Sequence, residues 1–198
     1  MEATTMRRSL DPAAPRLHAT PAVEDGLLRR AQSGDQAALA QLIDEYRPRI
    51  YSFALSQLRQ REDAEDVTQE TFVRMVRMLA SYQGRGEFRA WLYRIAANLC
   101  RDQQRRRAQQ RTRTVQGQDT PEAAAPGDVQ EEVSSAMTLA AAVSRLPDKY
   151  REVVTLQWLE QLSPAEIAEI LGRSINLVRV QLWRARGLLA RELGDWLD

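Results

Sequence analysis

Residues 163–174 read Ser-Pro-Ala-Glu-Ile-Ala-Glu-Ile-Leu-Gly-Arg-Ser, a pattern typical of a short capped helix followed by a tight turn. Ser163 is suited to the N-cap position, with a proline at the first helical position and Glu166 placed to complete a capping box. Gly172 follows the apolar residues and can end the helix in the left-handed conformation. The serine two residues further on is placed to cap a second helix. Two short helices joined by a glycine turn predict a helix-turn-helix over residues 163–189.

The second helix of this motif has one apolar side and one polar side. With a rotation of about 100° per residue, one side of the helix holds Val178, Leu182, Ala185 and Leu189, so we expect them to face the core. Val180 and several polar residues point outward, as do the side chains that a helix in the major groove of DNA presents to base edges. The candidate contacts to duplex DNA are Arg173, Ser174, Asn176, Arg179, Trp183, Arg184 and Arg186.

These candidate side chains favour different contacts. Arg179 and Arg184 are suited to bidentate hydrogen bonds with guanine, which specify a sequence. Arg173 and Arg186 are better placed for phosphates, which position a protein without reading bases. Trp183 has two open interpretations: it stacks on a sugar or contacts a thymine methyl group, or it packs on the preceding helix of the motif.

Helical patterning extends over most of the chain, with two interruptions. Residues 1–21 are rich in Pro, Ala and Thr and lack periodicity, which predicts a disordered tail. Residues 111–133 contain several glycines and prolines, and from Thr114 onward they carry five acids and no base, which predicts a flexible acidic linker. No β-alternation of useful length appears. We therefore predict an all-α protein with two small helical domains, residues 22–110 and 134–198, joined by that linker.

The first predicted domain contains an acidic helix that starts at Asp63. Residues 61–70 hold five acids and one base, and the acids fall largely off the apolar face. The apolar face is predicted to hold Val67, Phe72, Met75, Val76 and Leu79. An acidic surface of this kind, in a chain that also carries basic blocks, suggests a separate partner surface.

A basic helix follows the acidic one. Residues 84–113 hold nine arginines and two acids. Phe88, Trp91 and Leu92 belong to an apolar stripe with helical spacing, and we interpret them as core. The arginines lie on the opposite side with almost no acids between them, so we expect this side to bind a polyanion such as nucleic acid.

The composition excludes several classes of site and segment. The formal net charge is only +1, and Cys100 is the single cysteine, so neither an intramolecular disulfide nor a cysteine zinc site is expected. The only histidine, His18, lies in the predicted tail. No apolar run approaches a membrane span of roughly 18 residues, and no signal peptide is evident. We expect a cytoplasmic protein without a metal or cofactor and without insertion into the membrane.

Two parts of the sequence together resemble the extracytoplasmic-function (group 4) sigma factors of bacterial RNA polymerase. The first is Asp-Ala-Glu-Asp-Val-Thr-Gln-Glu-Thr-Phe at 63–72, followed by Phe-Arg-Ala-Trp-Leu-Tyr-Arg-Ile-Ala-Ala-Asn at 88–98. The second is Leu-Pro-Asp-Lys-Tyr-Arg-Glu-Val-Val at 146–154, followed by the helix-turn-helix at 162–186. Their order and the intervening linker also match, and the resemblance extends over about residues 23–197.

The resemblance implies a factor without enzymatic activity that binds core polymerase and directs promoter-specific initiation. Docking on the clamp helices of the polymerase β′ subunit would use Asp63, Asp66, Gln69 and Glu70. Capture of unpaired bases in the minus-10 element would use Tyr82, Arg85, Arg94, Asn98, Arg101 and Arg105. The helix-turn-helix would read the minus-35 duplex, while the helix at 148–159 meets the polymerase β flap. The acidic linker would run through the RNA exit path.

The resemblance has two further consequences. Members of this family are usually held inactive by an anti-sigma factor, so we expect such a partner here. The family usually has Gly-Thr-Val-Lys/Arg-Ser after the turn, whereas residues 176–180 read Asn-Leu-Val-Arg-Val. Two aliphatic side chains replace the small and hydroxyl residues, which changes the contacts expected with the minus-35 element.

Two other functions fit parts of the sequence. A stand-alone repressor or activator would explain the helix-turn-helix, but it leaves the acidic helix and the basic side around Asn98 unexplained. A metal-dependent nuclease would use Asp63, Asp66 and Glu70, but no histidine or second carboxylate cluster accompanies them. Binding to single-stranded DNA together with core polymerase would distinguish a sigma factor from a repressor, which needs only duplex DNA.

Overall fold

The computed structural model of the chain describes residues 21–83, 88–114 and 141–194, and every regular element in these ranges is helical. The all-α prediction is therefore confirmed for the described residues. Most of the predicted tail at 1–21 and of the predicted linker at 111–133 lies outside the described ranges.

The helices follow one another along the chain with short connections. In order they are α1 Pro21–Gln32, α2 Gln36–Leu58, α3 Arg61–Leu79, α4 Phe88–Thr114, α5 Asp148–Val154, α6 Pro164–Leu171 and α7 Ile175–Gly194. A short helical segment at 141–145 precedes α5, and a π-helical turn, Thr155–Leu159, continues α5.

The described residues up to Glu45 form a compact unit that contains α1 and the first part of α2. Asp35 caps α2, because its Oδ1 accepts hydrogen bonds from the amides of Ala37 at 2.9 Å and Ala38 at 3.1 Å. The Ala38 amide, followed by the Arg30 side chain, holds the pKa of Asp35 below its ordinary value.

The apolar sides of α3 and α4 pack against each other. The buried residues of this layer are Val67, Phe72, Met75 and Leu79 of α3, and Phe88, Leu92, Tyr93, Ala96 and Leu99 of α4. The rings of Phe53 in α2 and Tyr93 in α4 meet edge to face, with centroids 5.5 Å apart. This layer fixes the side of α4 that carries the predicted arginine surface.

Two details of the predicted acidic helix are wrong. α3 begins at Arg61 rather than Asp63, after Gln60 in an extended conformation. Val76 was predicted on the apolar face but is exposed, because a step of about 100° from the fully buried Met75 carries it off the packed side.

The C-terminal helices enclose a second apolar cluster. Its buried residues are Val153, Val154, Leu156, Leu162, Ile167, Ile170, Leu171, Val178, Leu182, Ala185 and Leu189. The members from α7 are those that the helical phase predicted to face the core. The opposite side of α7 is therefore directed outward.

Arg151 in α5 is only 1% exposed, and its Nη1 and Nη2 atoms bind to the start of α5 and to the chain before it. Its Nη1 donates hydrogen bonds to the carbonyl oxygens of Leu146 at 2.9 Å and Ser144 at 3.2 Å, and the side chain pairs with Asp148. Burial lowers the pKa of this guanidinium. These bonds hold the turn that starts α5, on which the helix-turn-helix is packed.

The described residues from Tyr46 onward form one compact unit, in which α4 contacts α6. The helices assigned to two separate domains from the sequence are therefore in contact in this arrangement. Charged side chains carry much of that contact and bear directly on the candidate site.

Candidate nucleic-acid interface

The acidic side of α3 is largely open to solvent. Asp66 and Gln69 are exposed, and Glu70 is half-buried. These three residues share one side of the helix, because their spacing of three and four positions returns to the same face. Glu70 accepts a hydrogen bond from Arg74 Nε at 2.8 Å, so its charge is partly neutralised. The predicted docking side therefore presents two exposed polar side chains, Asp66 and Gln69, and the carboxylate of Glu70, which is already paired.

Asp63 does not belong to this exposed side. It is buried, its Oδ1 accepts a hydrogen bond from Gln103 Nε2 at 3.0 Å, and it pairs with Arg107. The carboxylate thus joins α3 to α4, and its assignment to a polymerase contact has to be corrected. A buried carboxylate that is already in an ion pair is not available to a protein partner.

The same burial removes the geometry that a nuclease would need. Asp63 is directed into the packed side, whereas Asp66 and Glu70 are directed outward. Within the described ranges no three His, Cys, Asp or Glu side chains are grouped so that they could hold a metal ion.

Burial also raises the pKa of the Cys100 thiol to about 12, so this side chain stays protonated at neutral pH.

An aromatic cluster precedes the basic side of α4. Tyr82 lies against Trp91 with ring centroids 4.7 Å apart, and Phe88 contacts both rings. Asn98, two turns further along α4, is exposed. Arg85 lies outside the described residues. Aromatic rings beside an exposed amide are suited to stacking on and hydrogen bonding with unpaired bases.

The arginines of α4 meet carboxylates from the C-terminal helices. Arg94 Nη2 lies 2.5 Å from Glu169 Oε1, and Arg101 Nε lies 3.5 Å from Glu152 Oε1. Arg105 pairs within its own helix, with Asp102 at 2.6 Å. The sequence shows almost no acids between these arginines, and the partners of Arg94 and Arg101 are supplied by residues that lie much further along the chain.

Two more pairs reinforce the same contact. Arg89 donates to the carbonyl oxygen of Glu160 at 3.1 Å and lies 3.6 Å from Glu166 Oε1. Arg49 of α2 pairs with the buried carboxylate of Glu160. Sequence analysis missed Arg49, Glu152, Glu160 and Glu169, because nothing in the local sequence indicates a partner from a distant helix.

The helix-turn-helix has the geometry that its sequence predicts. Ser163 N donates to Glu166 Oε2 at 2.7 Å, and Glu166 N donates to Ser163 Oγ at 3.3 Å, which completes the capping box. Gly172 has φ of 62° and ψ of 38°, a left-handed conformation that favours glycine. Ser174 Oγ accepts a hydrogen bond from Leu177 N at 3.3 Å at the start of α7.

The outward side of α7 is partly apolar. Leu177, Val180 and Trp183 are 46%, 44% and 74% exposed. The interpretation that Trp183 packs on the preceding helix is therefore wrong. Leu177 was not among the candidates, although the phase that placed Val180 outward also places Leu177 roughly 100° from the buried Val178.

The polar candidates of the motif differ in how free they are. Arg173 donates to Glu152 Oε2 at 2.6 Å and to Gln181 Oε1 at 3.3 Å, which ties it to the protein. Arg186 approaches Gln157 Oε1 at 3.4 Å, and Arg184 hydrogen bonds to Tyr150 and lowers the pKa of that phenol. Asn176 is exposed.

Arg179 is the candidate with the freest side chain. It is exposed, and within residues 21–83, 88–114 and 141–194 no side chain pairs with it. It also lies beside Val180 near the start of α7, the end from which recognition helices reach base edges. The motif therefore offers an unengaged guanidinium next to an apolar surface.

None of the helices in the described part of the chain has the length and apolar character to cross a membrane.

Comparison with known proteins supports the resemblance found in the sequence. The family model for sigma-70 region 2 matches residues 42–111, and the model for sigma-70 region 4 matches residues 136–189. The ECF RNA polymerase sigma factor SigW of Bacillus subtilis is 32% identical over 178 residues, which cover 85% of this chain and 95% of SigW.

Two further proteins are similar over most of the chain. The ECF RNA polymerase sigma factor BldN of Streptomyces coelicolor is 36% identical over 174 residues, covering 85% of this chain and 65% of BldN. Among solved structures, that of CnrH in complex with the cytosolic domain of CnrY has a TM-score of 0.62 and 29% identity, covering 87% of this chain and 97% of that chain.

Proposed function

Because this chain belongs to the extracytoplasmic-function sigma factors of bacterial RNA polymerase, we propose that its three exposed surfaces divide the work of promoter recognition among polymerase docking, strand capture and duplex reading. A sigma factor binds core polymerase and directs it to promoters, so it is a DNA-binding regulatory protein. We further propose that the chain has no catalytic activity and that it acts in the cytoplasm, where the polymerase is.

The observation that carries the proposal is the open acidic side of α3. Asp66 and Gln69 are exposed in a chain that also presents a capped helix-turn-helix. A repressor that reads duplex DNA gains nothing from an acidic surface, because DNA repels it. A protein partner with a basic surface would be attracted to it. We assign this side, formed by Asp66, Gln69 and Glu70, to the clamp helices of the polymerase β′ subunit.

Strand capture is assigned to α4 and the residues before it. Asn98, with Arg94 and Arg101, lines the side that would follow the unpaired minus-10 strand, and the rings of Tyr82 and Trp91 would stack on bases. In this structure carboxylates of Glu169 and Glu152 lie on those two arginines. A phosphate can replace each carboxylate only if α4 and the C-terminal helices separate.

Duplex reading is assigned to α7. Its exposed Asn176, Arg179 and Arg184 face away from the packed side, and the capped start of the helix leaves its first turns accessible. Arg173 is assigned to positioning rather than base reading, because its ion pair with Glu152 holds it beside the turn. The helix α5 with its π-helical turn would meet the polymerase β flap.

The domain bounds follow the same division. We assign residues 22–110 to polymerase docking and strand capture, residues 134–198 to minus-35 recognition, and residues 111–133 to the connection between them. The solved structure of CnrH contains the cytosolic domain of CnrY. By analogy, we propose that an anti-sigma factor also binds this chain.

Charge reversal on α3 tests the proposal. Asp66→Lys with Glu70→Lys should weaken binding to purified core polymerase by at least about tenfold, because two attractive contacts become repulsive. Promoter-specific transcripts should fall accordingly. The matched control is Asp25→Lys with Asp44→Lys, which makes the same charge change at exposed positions of α1 and α2. Circular dichroism should show both variants folded. Native-like core binding by the α3 variant would show that the docking assignment is wrong.

A further inference from the structure

Three exposed apolar side chains share the outward side of α7. Leu177, Val180 and Trp183 are spaced three positions apart, so each successive side chain is rotated by about 60° around the helix. They expose 46%, 44% and 74% of their surface. Single exposed apolar residues are ordinary in soluble proteins, but three on one side of a helix form an apolar patch of the kind that marks a binding site.

The surroundings of the patch favour duplex DNA over an apolar protein surface. The only acid in the described part of α7 is Glu192, near its C-terminal end. Arg179 and Arg184 flank the patch, and Arg179 has no ion-pair partner among the described residues. An apolar patch with arginines beside it, and with no acid on the described part of its helix before Glu192, is complementary to a polyanion.

Duplex DNA presents one apolar group in its major groove. The C5-methyl group of thymine is the only alkyl group that the four bases present there. Small aliphatic side chains near the start of a recognition helix are therefore matched to thymine rather than to guanine, adenine or cytosine. Leu177 and Val180 lie in the first two turns of α7, whereas Trp183 lies further along.

We infer that Leu177 and Val180 recognise thymine methyl groups in the upstream promoter element, so that this chain prefers thymines where they enter the groove. Trp183 covers the neighbouring sugar and excludes water from the apolar contact. The inference rests on the assignment of α7 to duplex reading. It adds the class of base that the helix reads and the two residues that determine the preference.

The test uses deoxyuridine, which pairs as thymine does but lacks the methyl group. The holoenzyme of full-length chain and core polymerase first selects bound duplexes from a random library. Each thymine of the selected upstream element is then replaced singly by deoxyuridine. Loss of a buried methyl should weaken binding about three- to fivefold at one or two positions and leave the others unchanged.

A double variant assigns the effect to the named residues. Leu177→Ala with Val180→Ala should bind thymine and deoxyuridine duplexes equally, at about the affinity of the native chain for deoxyuridine. Both positions are exposed, so the fold is retained. Arg179→Ala is the control, because it should weaken binding while keeping the ratio between the two bases.

The possible outcomes separate the two proposals. If the holoenzyme selects a sequence but ignores deoxyuridine at every thymine, the thymine inference is wrong and the function stands. If the double variant binds every duplex as the native chain does, Leu177 and Val180 do not contact thymine methyl groups and the inference is again wrong. If the holoenzyme selects no sequence at all, the proposed function itself fails.

Discussion

The two arginine-bearing surfaces of this protein, on α4 and on α7, differ in what already occupies them. On α4, Arg94 and Arg101 lie against the carboxylates of Glu169 and Glu152. On α7, Arg179 is exposed and has no ion-pair partner among the described residues. Both surfaces are basic in sequence, but in the arrangement seen here Arg94 and Arg101 are occupied by carboxylates and Arg179 is not.

The difference shows that a count of charges along the chain does not measure the free charge of a surface. The pair of Arg94 with Glu169 is exposed and is worth only about 0–1 kcal/mol, whereas Glu152 is buried beside Arg101. These carboxylates close the surface proposed for single strands, whereas the surface proposed for duplex DNA is open.

The largest expected effect concerns the open surface. Arg179→Ala should reduce discrimination at one base pair of the upstream element by about 5- to 150-fold, the loss of one bidentate guanine contact. Competition between matched and mutated duplexes measures it. Arg191→Ala, which removes the same charge from the last turn of α7, should leave discrimination unchanged. Equal weakening on every sequence would instead identify Arg179 as a phosphate contact.

The next largest effect concerns Glu152, whose carboxylate contacts an arginine of α4 and the arginine just before α7. Its buried carboxylate pairs with Arg101 of α4 and with Arg173 before α7. Glu152→Gln should lower the free energy of unfolding by about 1–3 kcal/mol, because two guanidinium groups lose their counter-charge. Urea denaturation measures this. If Glu152→Gln is as stable as the native chain, the carboxylate does not hold the two surfaces together.

The smallest effect concerns an exposed pair. Glu169→Gln should raise the affinity of the free chain for single-stranded DNA about two- to fivefold, because Arg94 is released at little cost in stability. The gain should disappear at high ionic strength. Glu65→Gln, an exposed acid of α3, is the matched control. An unchanged affinity would mean that Glu169 does not compete with the strand.

The sequence predicted best what is decided locally. The capping box of Ser163 and the left-handed Gly172 depend on neighbouring residues only, so both could be predicted together with the packed side of α7. The burial of Asp63 and the partners of Arg94 could not be predicted, because they depend on which distant helices come into contact. The exposure of Leu177 follows from the same helical phase, because this residue lies about 100° from the buried Val178.

The relation between the two surfaces can be measured directly by fluorescence anisotropy with two probes, an upstream-element duplex and the single strand of the minus-10 element. We predict that the free chain binds the duplex measurably but binds the strand at least about tenfold more weakly than the complex with core polymerase does. Equal affinity of the free chain and the complex for the single strand would contradict it, because the α4 surface would then already be open.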